Sequence, residues 1–377
     1  MRIEVENIGQ RLVKTSYKSD DCLVLLKDLT DDMKELSTEE REKLIQSGTH
    51  YSEMLPKEDE PSKEYEALYE KALADKKYEI AKGIAELSAM IMTNTVAGKK
   101  PIIISLARAG IPVGVLIKRY IKKYFNIDCS HYAISIIRDR GIDTNAMEFI
   151  YRTEIGKTAK NLTENFFFID GWTGKGMIKH QLDEAVAELK EESAKWNGLK
   201  SDLYVLADPA NITKYCGTRE DYLLPSACLN STVSGLTSRT ILNKYVNIDA
   251  GDFHGAYYFE KFESIDKTNE FIDTITECFR PLDKELGNWN GLNITMEIAE
   301  KFNIKDFKKI KPGIGETTRV LLRRVPWLVL INETTDMKDQ DIQHILMLCK
   351  EKRVNFERFP LGNYKVCGII KDLSADA

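Results

Sequence analysis

The sequence predicts an α/β protein in which a main unit built on a parallel sheet is followed by a small C-terminal α/β unit. Apolar strand segments alternate with helical segments between residues 101 and 207, which favours parallel strands joined by right-handed crossovers. Gly-rich turns follow two of these strands, and ligands of such sheets lie beyond the carboxyl ends of the strands. With 377 residues the chain is too long for one ordinary core, so more than one folded unit is expected.

The N-terminal part, residues 1–60, is predicted to be an extension packed on the main unit. It holds a β-like piece at residues 22–26 and a charged helix at 37–46 that opens with the capping-box sequence STEE. Apolar side chains at helical spacing predict a long helix from residue 65 to about residue 93.

The main unit is predicted to cover residues 61–290 and the C-terminal unit residues 300–377. The predicted main-unit strands are 101–105, 132–137, 165–169 and 203–207, and the helices are 111–125 and 177–196. The C-terminal unit is predicted to have helices at 317–324 and 339–352 and strands at 327–331, 356–359 and 366–370. Glycine and asparagine residues at 287–291 mark the boundary between the units.

The composition is that of a soluble globular protein, with 43% hydrophobic and 30% charged residues. No apolar run approaches the roughly 20 residues that span a bilayer, and the first residues lack the apolar core of a secretory signal. The seven cysteines are scattered without a Cys-x-x-Cys pair, so neither a disulfide framework nor a protein-held metal is expected. These features predict a cytoplasmic protein that does not bind membranes.

The charge is unevenly distributed along the chain. The net charge is −5, but residues 301–377 carry 15 Lys and Arg against 10 Asp and Glu, a net +5 that leaves −10 on the rest. A basic C-terminal unit favours a polyanionic partner, although such an excess is also common in small domains without one.

The turn after the strand at 165–169 has the features of a phosphate site. Residues 170–176 read DGWTGKG, so an acid at the end of a strand is followed by glycines and then by the start of a helix. Inward-facing amides, together with the hydroxyl of Thr173 and the cation of Lys175, suit an anion. The alternative is a tight β–α turn that binds nothing.

This turn resembles the phosphate loop of the type I phosphoribosyltransferases, in which an acid binds the ribose hydroxyls and a Thr-Gly pair binds the 5-phosphate. The resemblance implies a ribose-binding and catalytic role for Asp170. The residues implied for the 5-phosphate are Thr173, Gly174, Lys175 and Gly176. The fold implied for the main unit is that of the same family.

Two further segments fit this resemblance. The first β–α loop of the family binds pyrophosphate through its amides, and the matching residues here are Ala107, Arg108, Ala109 and Gly110. Arg138 and Arg140 fall where the family has a mobile hood over the pyrophosphate. The alternatives are an ordinary β–α turn for the loop and a solvated charged loop for the hood.

Polar segments around His50, Cys228 and His254 extend the resemblance to a second family that covers more of the chain. Together with the loops, they resemble the bacterial StiP-type family, labelled cysteine proteases. That family joins a phosphoribosyltransferase-like domain to a Pelota-type domain and is associated with stress and tellurium resistance. The label implies Cys228 as a nucleophile and His50 or His254 as its base. The alternatives are a buried structural cysteine and an acceptor pocket built from the same hydroxyl-rich segment.

Residues 311–324 resemble the RNA loop of the Pelota and kink-turn-binding family, which reads G-x-N-E-x-x-K at the start of a helix. Gly313, Glu316 and Arg319 match this pattern, and Gly315 replaces the asparagine. The match implies RNA binding, with a protein-docking module and a purely structural role as alternatives.

The leading hypothesis is a transferase that moves a phosphoribosyl group from phosphoribosyl pyrophosphate, with Mg²⁺, to an unidentified acceptor. One alternative is a cysteine protease with Cys228 as the nucleophile. Another is a sensor that binds ribose phosphate or RNA without turnover, because Gly171 stands where the family has a second acid. The expected partners are a small ribose phosphate and RNA, and a homo-oligomer is left open.

Overall fold

The computed structural model describes residues 9–154, 163–282, 294–362 and 364–372. The boundary segment at 287–291 lies outside them. The strands are β1 (Leu23–Val24), β2 (Lys27–Asp28), β3 (Glu35–Leu36), β4 (Leu55–Pro56), β5 (Ile102–Leu106), β6 (Ser130–Ile134), β7 (Ile136–Ile137), β8 (Gly141–Ile142), β9 (Phe166–Trp172), β10 (Leu203–Ala207), β11 (Tyr215–Thr218), β12 (Gly255–Ala256), β13 (Ile310–Pro312), β14 (Pro326–Asn332), β15 (Asn355–Phe359) and β16 (Val366–Ile370). The helices are α1 (Thr38–Gln46), α2 (Lys63–Asn94), α3 (Gly110–Phe125), α4 (Thr144–Glu154), α5 (Met177–Glu192), α6 (Pro225–Cys228), α7 (Thr268–Glu277), α8 (Ile294–Lys301), α9 (Ile314–Arg323) and α10 (Gln340–Lys352).

The main sheet has six strands, all parallel, in the order β1-β6-β5-β9-β10-β11. Its central strands are buried along almost their whole length because both faces are covered. The buried residues of α2 and α3 pack into one core cluster, and those of α4 and α5 pack into another. The predicted parallel sheet between layers of helices is therefore confirmed.

The N-terminal segment joins the main sheet through β1, which pairs with β6. Its helix α1 begins where the sequence predicts, with the capping box complete: Ser37 Oγ accepts from the Glu40 amide, and the Glu40 carboxylate accepts from the Ser37 amide. The charged residues Arg41 and Glu42 of this helix are nevertheless buried. This burial reflects a contact with the second unit that the helix pattern does not reveal.

The second unit is a four-stranded sheet in the order β13-β16-β14-β15, covered by α8 on one face and by α9 and α10 on the other. Apolar residues of α9 and α10, among them Ile314, Leu321 and Ile342, continue into the core cluster of the main unit. The small C-terminal α/β unit is confirmed, and it packs firmly against the main unit. No helix in the described part of the chain is long and apolar enough to cross a membrane.

Candidate functional site

A cleft of about 320 Å³ lies at the carboxyl ends of β5 and β9, where the second unit closes over the main sheet. The main unit contributes Leu106 and Asp170 from the strand ends, and the second unit contributes Lys311 from β13 and Arg323 from α9. Parallel α/β sheets bind their ligands at this edge. The position agrees with the sequence prediction, but the wall supplied by the second unit was not predicted.

The turn at residues 170–176 forms the floor of the cleft. Gly174, Lys175 and Gly176 line it together with the first turn of α5, so unpaired helix amides are available there to an anion. Thr173 also lines the cleft, but its hydroxyl donates to the buried carboxylate of Asp208. The same carboxylate accepts from Arg219 and from the Thr213 amide. This network orients Thr173 and engages its hydroxyl hydrogen, so that its oxygen can act only as an acceptor.

Asp170 is buried at the end of β9, where one carboxylate oxygen accepts from the amide of Gly171 at 2.7 Å. Burial raises the pKa of Asp170 to about 7, while the Gly171 amide and Arg319 oppose the increase. The group therefore changes charge near neutral pH. It can accept a hydrogen bond from a ligand hydroxyl when ionised and donate one when protonated.

The first β–α loop approaches the cleft as expected, with Ala107, Arg108 and Ala109 on its wall. Gly110 does not line the cleft but allows the approach, because a Cβ there would lie 2.2 Å from the carbonyl oxygen of Ile169. The guanidinium of Arg108 donates to the carbonyl of Thr237 and to buried Glu58 at 3.2 Å.

The hood corresponds to the β7–β8 hairpin, and it contributes Arg138 but not Arg140 to the cleft. Arg140 instead pairs with Glu53 at 2.8 Å. Tyr51 lies under the hood, with the guanidinium carbons of Arg138 and Arg239 at 5.2 Å and 5.3 Å from its ring centroid. Both guanidinium groups therefore make cation–π contacts with the same ring.

The lining of the cleft is strongly cationic, with seven arginines and three lysines against two carboxylates, Asp170 and Glu316. The cations of the main unit are Arg41, Arg108, Arg138, Lys175, Lys179 and Arg239, and those of the second unit are Lys311, Arg319, Arg323 and Arg324. Burial and the nearby Lys311 and Arg138 lower the pKa of Lys175 to about 7.

Four of these arginines, Arg41, Arg138, Arg239 and Arg323, have a buried Nε–H with no hydrogen-bond acceptor among the described residues, although that of Arg138 lies 3.4 Å from the Asp139 carboxylate. Burial, then Arg41, lowers the pKa of Arg239 to about 9. Burial, then Arg108, lowers that of Arg323, although Glu58 lies 3.4 Å from it. A buried donor without an acceptor costs about 1–3 kcal/mol, and more when it is charged.

The residues of the predicted RNA loop face the main unit. Glu316 and Arg319 line the cleft and pair with each other at 2.8 Å. Burial alone would raise the pKa of Glu316, but Arg319 and Lys311 outweigh it and bring it to about 2. Gly313, with φ +97°, precedes α9, and a Cβ there would lie 3.7 Å from the ring of Tyr364.

The predicted catalytic residues His50, Cys228 and His254 are not among the described residues that line the cleft. The ring Nδ1 of His50 lies 2.8 Å from Ser52 Oγ, and that of His254 lies 2.8 Å from Ser135 Oγ. The thiol of Cys228 donates to the carbonyl of Leu224, which precedes α6, so each of the three has a partner of its own outside the cleft lining.

All seven cysteines are buried, and burial followed by Asp341 raises the pKa of Cys228 far above its ordinary value. Cys22 Sγ lies 3.8 Å from His131 Nε2. Burial raises the pKa of Cys22 and lowers that of His131 to about 3, so both groups are neutral in the core. In this conformation neither Cys228 nor Cys22 has the thiolate that nucleophilic attack requires.

Sequence reasoning missed Arg41, Tyr51, Arg239 and the pair Arg323 and Arg324 as cleft residues. Arg323 and Arg324 stand at the end of an amphipathic helix. Two adjacent cations at the edge of its apolar face were the sequence signal that could have indicated them. Arg41 gives no local signal, because its helix reads as solvated from the sequence.

Comparison with known proteins identifies the family. The family described as "Tellurite-like stress resistance cysteine protease StiP" matches residues 15–276, and a "PELOTA RNA binding domain" matches residues 289–372. A relative named "Cysteine protease StiP", from Acinetobacter baylyi, is 32% identical over 357 residues, covering 89% of this chain and 88% of the relative.

These names overturn one expectation from the sequence. Phosphoribosyl transfer is wrong as the leading function, because the family and the relative are both described as cysteine proteases, which are hydrolases, and no match names a transferase. The paired loops that favoured transfer are present, but a phosphate site alone does not specify a reaction. The extent of the match, from residue 15 to residue 276, and the 32% identical relative show that the chain belongs to the StiP family.

Proposed function

We propose that the cleft binds a small ribose phosphate or a similar compact polyanion. The observation that carries this proposal is the cationic lining of the cleft, in which seven arginines and three lysines stand against two carboxylates. Arginine presents a planar fork of donors that matches phosphate oxygens. A ligand with more than one phosphate would satisfy donors on both walls at once.

The polar groups of the cleft divide between the two halves of such a ligand. The amides at the start of α5 and Lys175 suit one phosphate, and the arginines of α9 suit another. Asp170 is the acceptor for a ribose hydroxyl, because it is the carboxylate at the strand end beside the turn. The likeness of this turn to phosphoribosyltransferase loops supports binding and not transfer.

Isothermal titration calorimetry with inorganic triphosphate and with ribose 5-phosphate tests the proposal. The native chain should bind both, and Arg239→Gln should weaken binding at least tenfold, while Arg280→Gln on the surface should not. Equal affinities of the Arg239 and Arg280 variants would contradict the proposal. That Mg²⁺ binds together with the ligand is a further prediction, and the same titrations in the presence of MgCl₂ test it.

The second candidate function is peptide hydrolysis by a cysteine nucleophile, favoured by the family match and by the position of Cys228. This residue ends the short helix α6, and two other residues of α6, Ser226 and Ala227, line the cleft. The thiol is enclosed in the described conformation, so hydrolysis requires α6 to move. A ligand that contacts Ser226 is placed to cause that movement.

Iodoacetamide labelling followed by mass spectrometry tests the exposure of Cys228, and a casein cleavage assay tests its role. Labelling of Cys228 should be slow in the native chain and faster with triphosphate, and Cys228→Ser should abolish cleavage. Cys349→Ser is the matched control, because that cysteine is also buried but ends no helix at the cleft. Unchanged cleavage by the Cys228 variant would exclude it as the nucleophile.

A further inference from the structure

We infer that the RNA loop of the second unit is masked by the main unit, so that RNA binds through this loop only when the two units separate. The inference depends on the proposed function in one respect: an anion in the cleft would hold the units together. The masking itself depends only on the contacts between the units.

The groups that an RNA backbone would use at the start of α9 are already engaged. The amide of Ile314 donates to Asp221 Oδ1 at 3.1 Å. Gly315 is so close to Trp172 that a Cβ would lie 3.3 Å from the indole ring, and the side chain of Glu316 lies 3.4 Å from the corresponding position of Gly174. The first turn of α9 therefore faces the main unit, with Ile314 buried and Gly315 and Glu316 half-buried against it.

Contacts around this turn fasten the loop in place. Tyr364 donates to the carbonyl of Gly174 at 2.9 Å, and the amide of Lys365 donates to Asp221 Oδ2 at 2.6 Å. Lys308 pairs with Asp139 at 3.1 Å. The cleft that remains has a volume of about 320 Å³, which admits a small ligand but not a folded RNA.

The charges on the two walls link this masking to the cleft ligand. Arg41 on the main unit and Arg324 on the second unit repel each other, as do Arg108 and Arg323. An anion between the walls cancels this repulsion and favours the closed arrangement, whereas RNA favours the open one. By linkage, each ligand should weaken the binding of the other.

The experiment compares three full-length proteins with a fluorescein-labelled kink-turn RNA hairpin in a polarisation assay. They are the native chain, the opening variant Asp221→Lys with Tyr364→Phe, and the control Asp32→Lys, which adds the same charge at an exposed site. Hydrogen exchange of amides 313–319 reports whether the loop is uncovered. We expect the opening variant to show faster exchange and at least tenfold tighter RNA binding than the other two proteins.

Native RNA binding that is lost on Arg319→Ala while amides 313–319 stay protected would overturn the inference. So would an opened variant that exchanges quickly but binds no RNA. If the variant stays closed, weak RNA binding by all three proteins is the result expected. Inorganic triphosphate should weaken RNA binding to the native chain more than to the opened variant. If triphosphate weakened RNA binding equally in the native chain and the opened variant, the two ligands would compete directly for the loop. That result would refute the role of the anion in holding the units together, but not the masking of the loop.

Discussion

Glu58 is the residue whose removal tests the electrostatics of the cleft most directly. Its side chain is 4% exposed and lies 3.2 Å from Arg108 and 3.4 Å from Arg323, whose side chains are 11% and 12% exposed. Glu58→Gln keeps the shape and an acceptor for the Ser231 amide, but it leaves two buried guanidinium groups without their counter-charge. Breaking a buried ion pair in this way costs about 3–5 kcal/mol.

Urea denaturation followed by tryptophan fluorescence measures this cost, with Glu60→Gln as an exposed control. Burial raises the pKa of Glu58, but Arg108, Arg323 and the Ser231 hydrogen bonds outweigh it and the net shift is downward. A carboxylate whose pKa is lowered by folding stabilises the fold at pH values above its ordinary pKa of 4.5. This stabilisation is lost as the pH falls through the lower pKa of the folded state. The difference in the free energy of unfolding between Glu58→Gln and the native chain should therefore become smaller in acid.

The same substitution should strengthen anion binding, because Glu58 competes with any anion for Arg108 and Arg323. Removing this competitor is expected to tighten triphosphate binding about tenfold, or about 1.4 kcal/mol. The reasoning is refuted if Glu58→Gln denatures at the same urea concentration as Glu60→Gln and also binds triphosphate no more tightly.

Three further predictions follow from the cleft. Arg239→Lys should weaken triphosphate binding roughly tenfold in calorimetry because a lysine lacks the planar fork; unchanged affinity would remove Arg239 from the site. Gly110→Ala should destabilise the chain by on the order of 3 kcal/mol in urea, since its Cβ would meet the Ile169 carbonyl, whereas Gly9→Ala, with open space around it, should have no effect. The raised pKa of Asp170 means that its ionisation opposes folding between its ordinary pKa of 3.8 and about 7. The free energy of unfolding of Asp170→Asn should thus increase relative to that of the native chain as the pH rises from 5 to 8. A difference between the two that does not change with pH would contradict the raised pKa.

The regular elements were predictable because their signals are local. The strand at residues 203–207 has the predicted bounds, and α2 spans Lys63–Asn94 against a predicted 65–93. The predicted strand at 132–137 is instead two strands, β6 and β7, interrupted at Ser135, whose hydroxyl lies 2.8 Å from His254 Nδ1. A contact with a residue 119 positions away leaves no trace in a short window of sequence.

The candidate site was predictable only on the side that the two Gly-rich loops form. Those loops carry their own signals, namely glycines at strand ends before helices. The opposite wall depends on how the second unit docks, which is set by contacts such as Glu42 with Arg324. For the same reason Cys228 looked reactive among polar residues, although its thiol is enclosed by the apolar packing of α6.

The pair Glu42 and Arg324 joins residues 282 positions apart, and the Arg41 guanidinium donates to the Arg323 carbonyl across the same interval. Contacts of such long sequence separation are slow to form, because the loop between them must close first. During synthesis Arg41 of α1 emerges long before its partner helix α9, so the cleft is among the last parts of the molecule to be assembled. A chain interrupted before residue 314 would have the glycine-rich turn at residues 170–176 but not the wall of the cleft that α9 supplies, so the cleft forms only after the second unit has been synthesised.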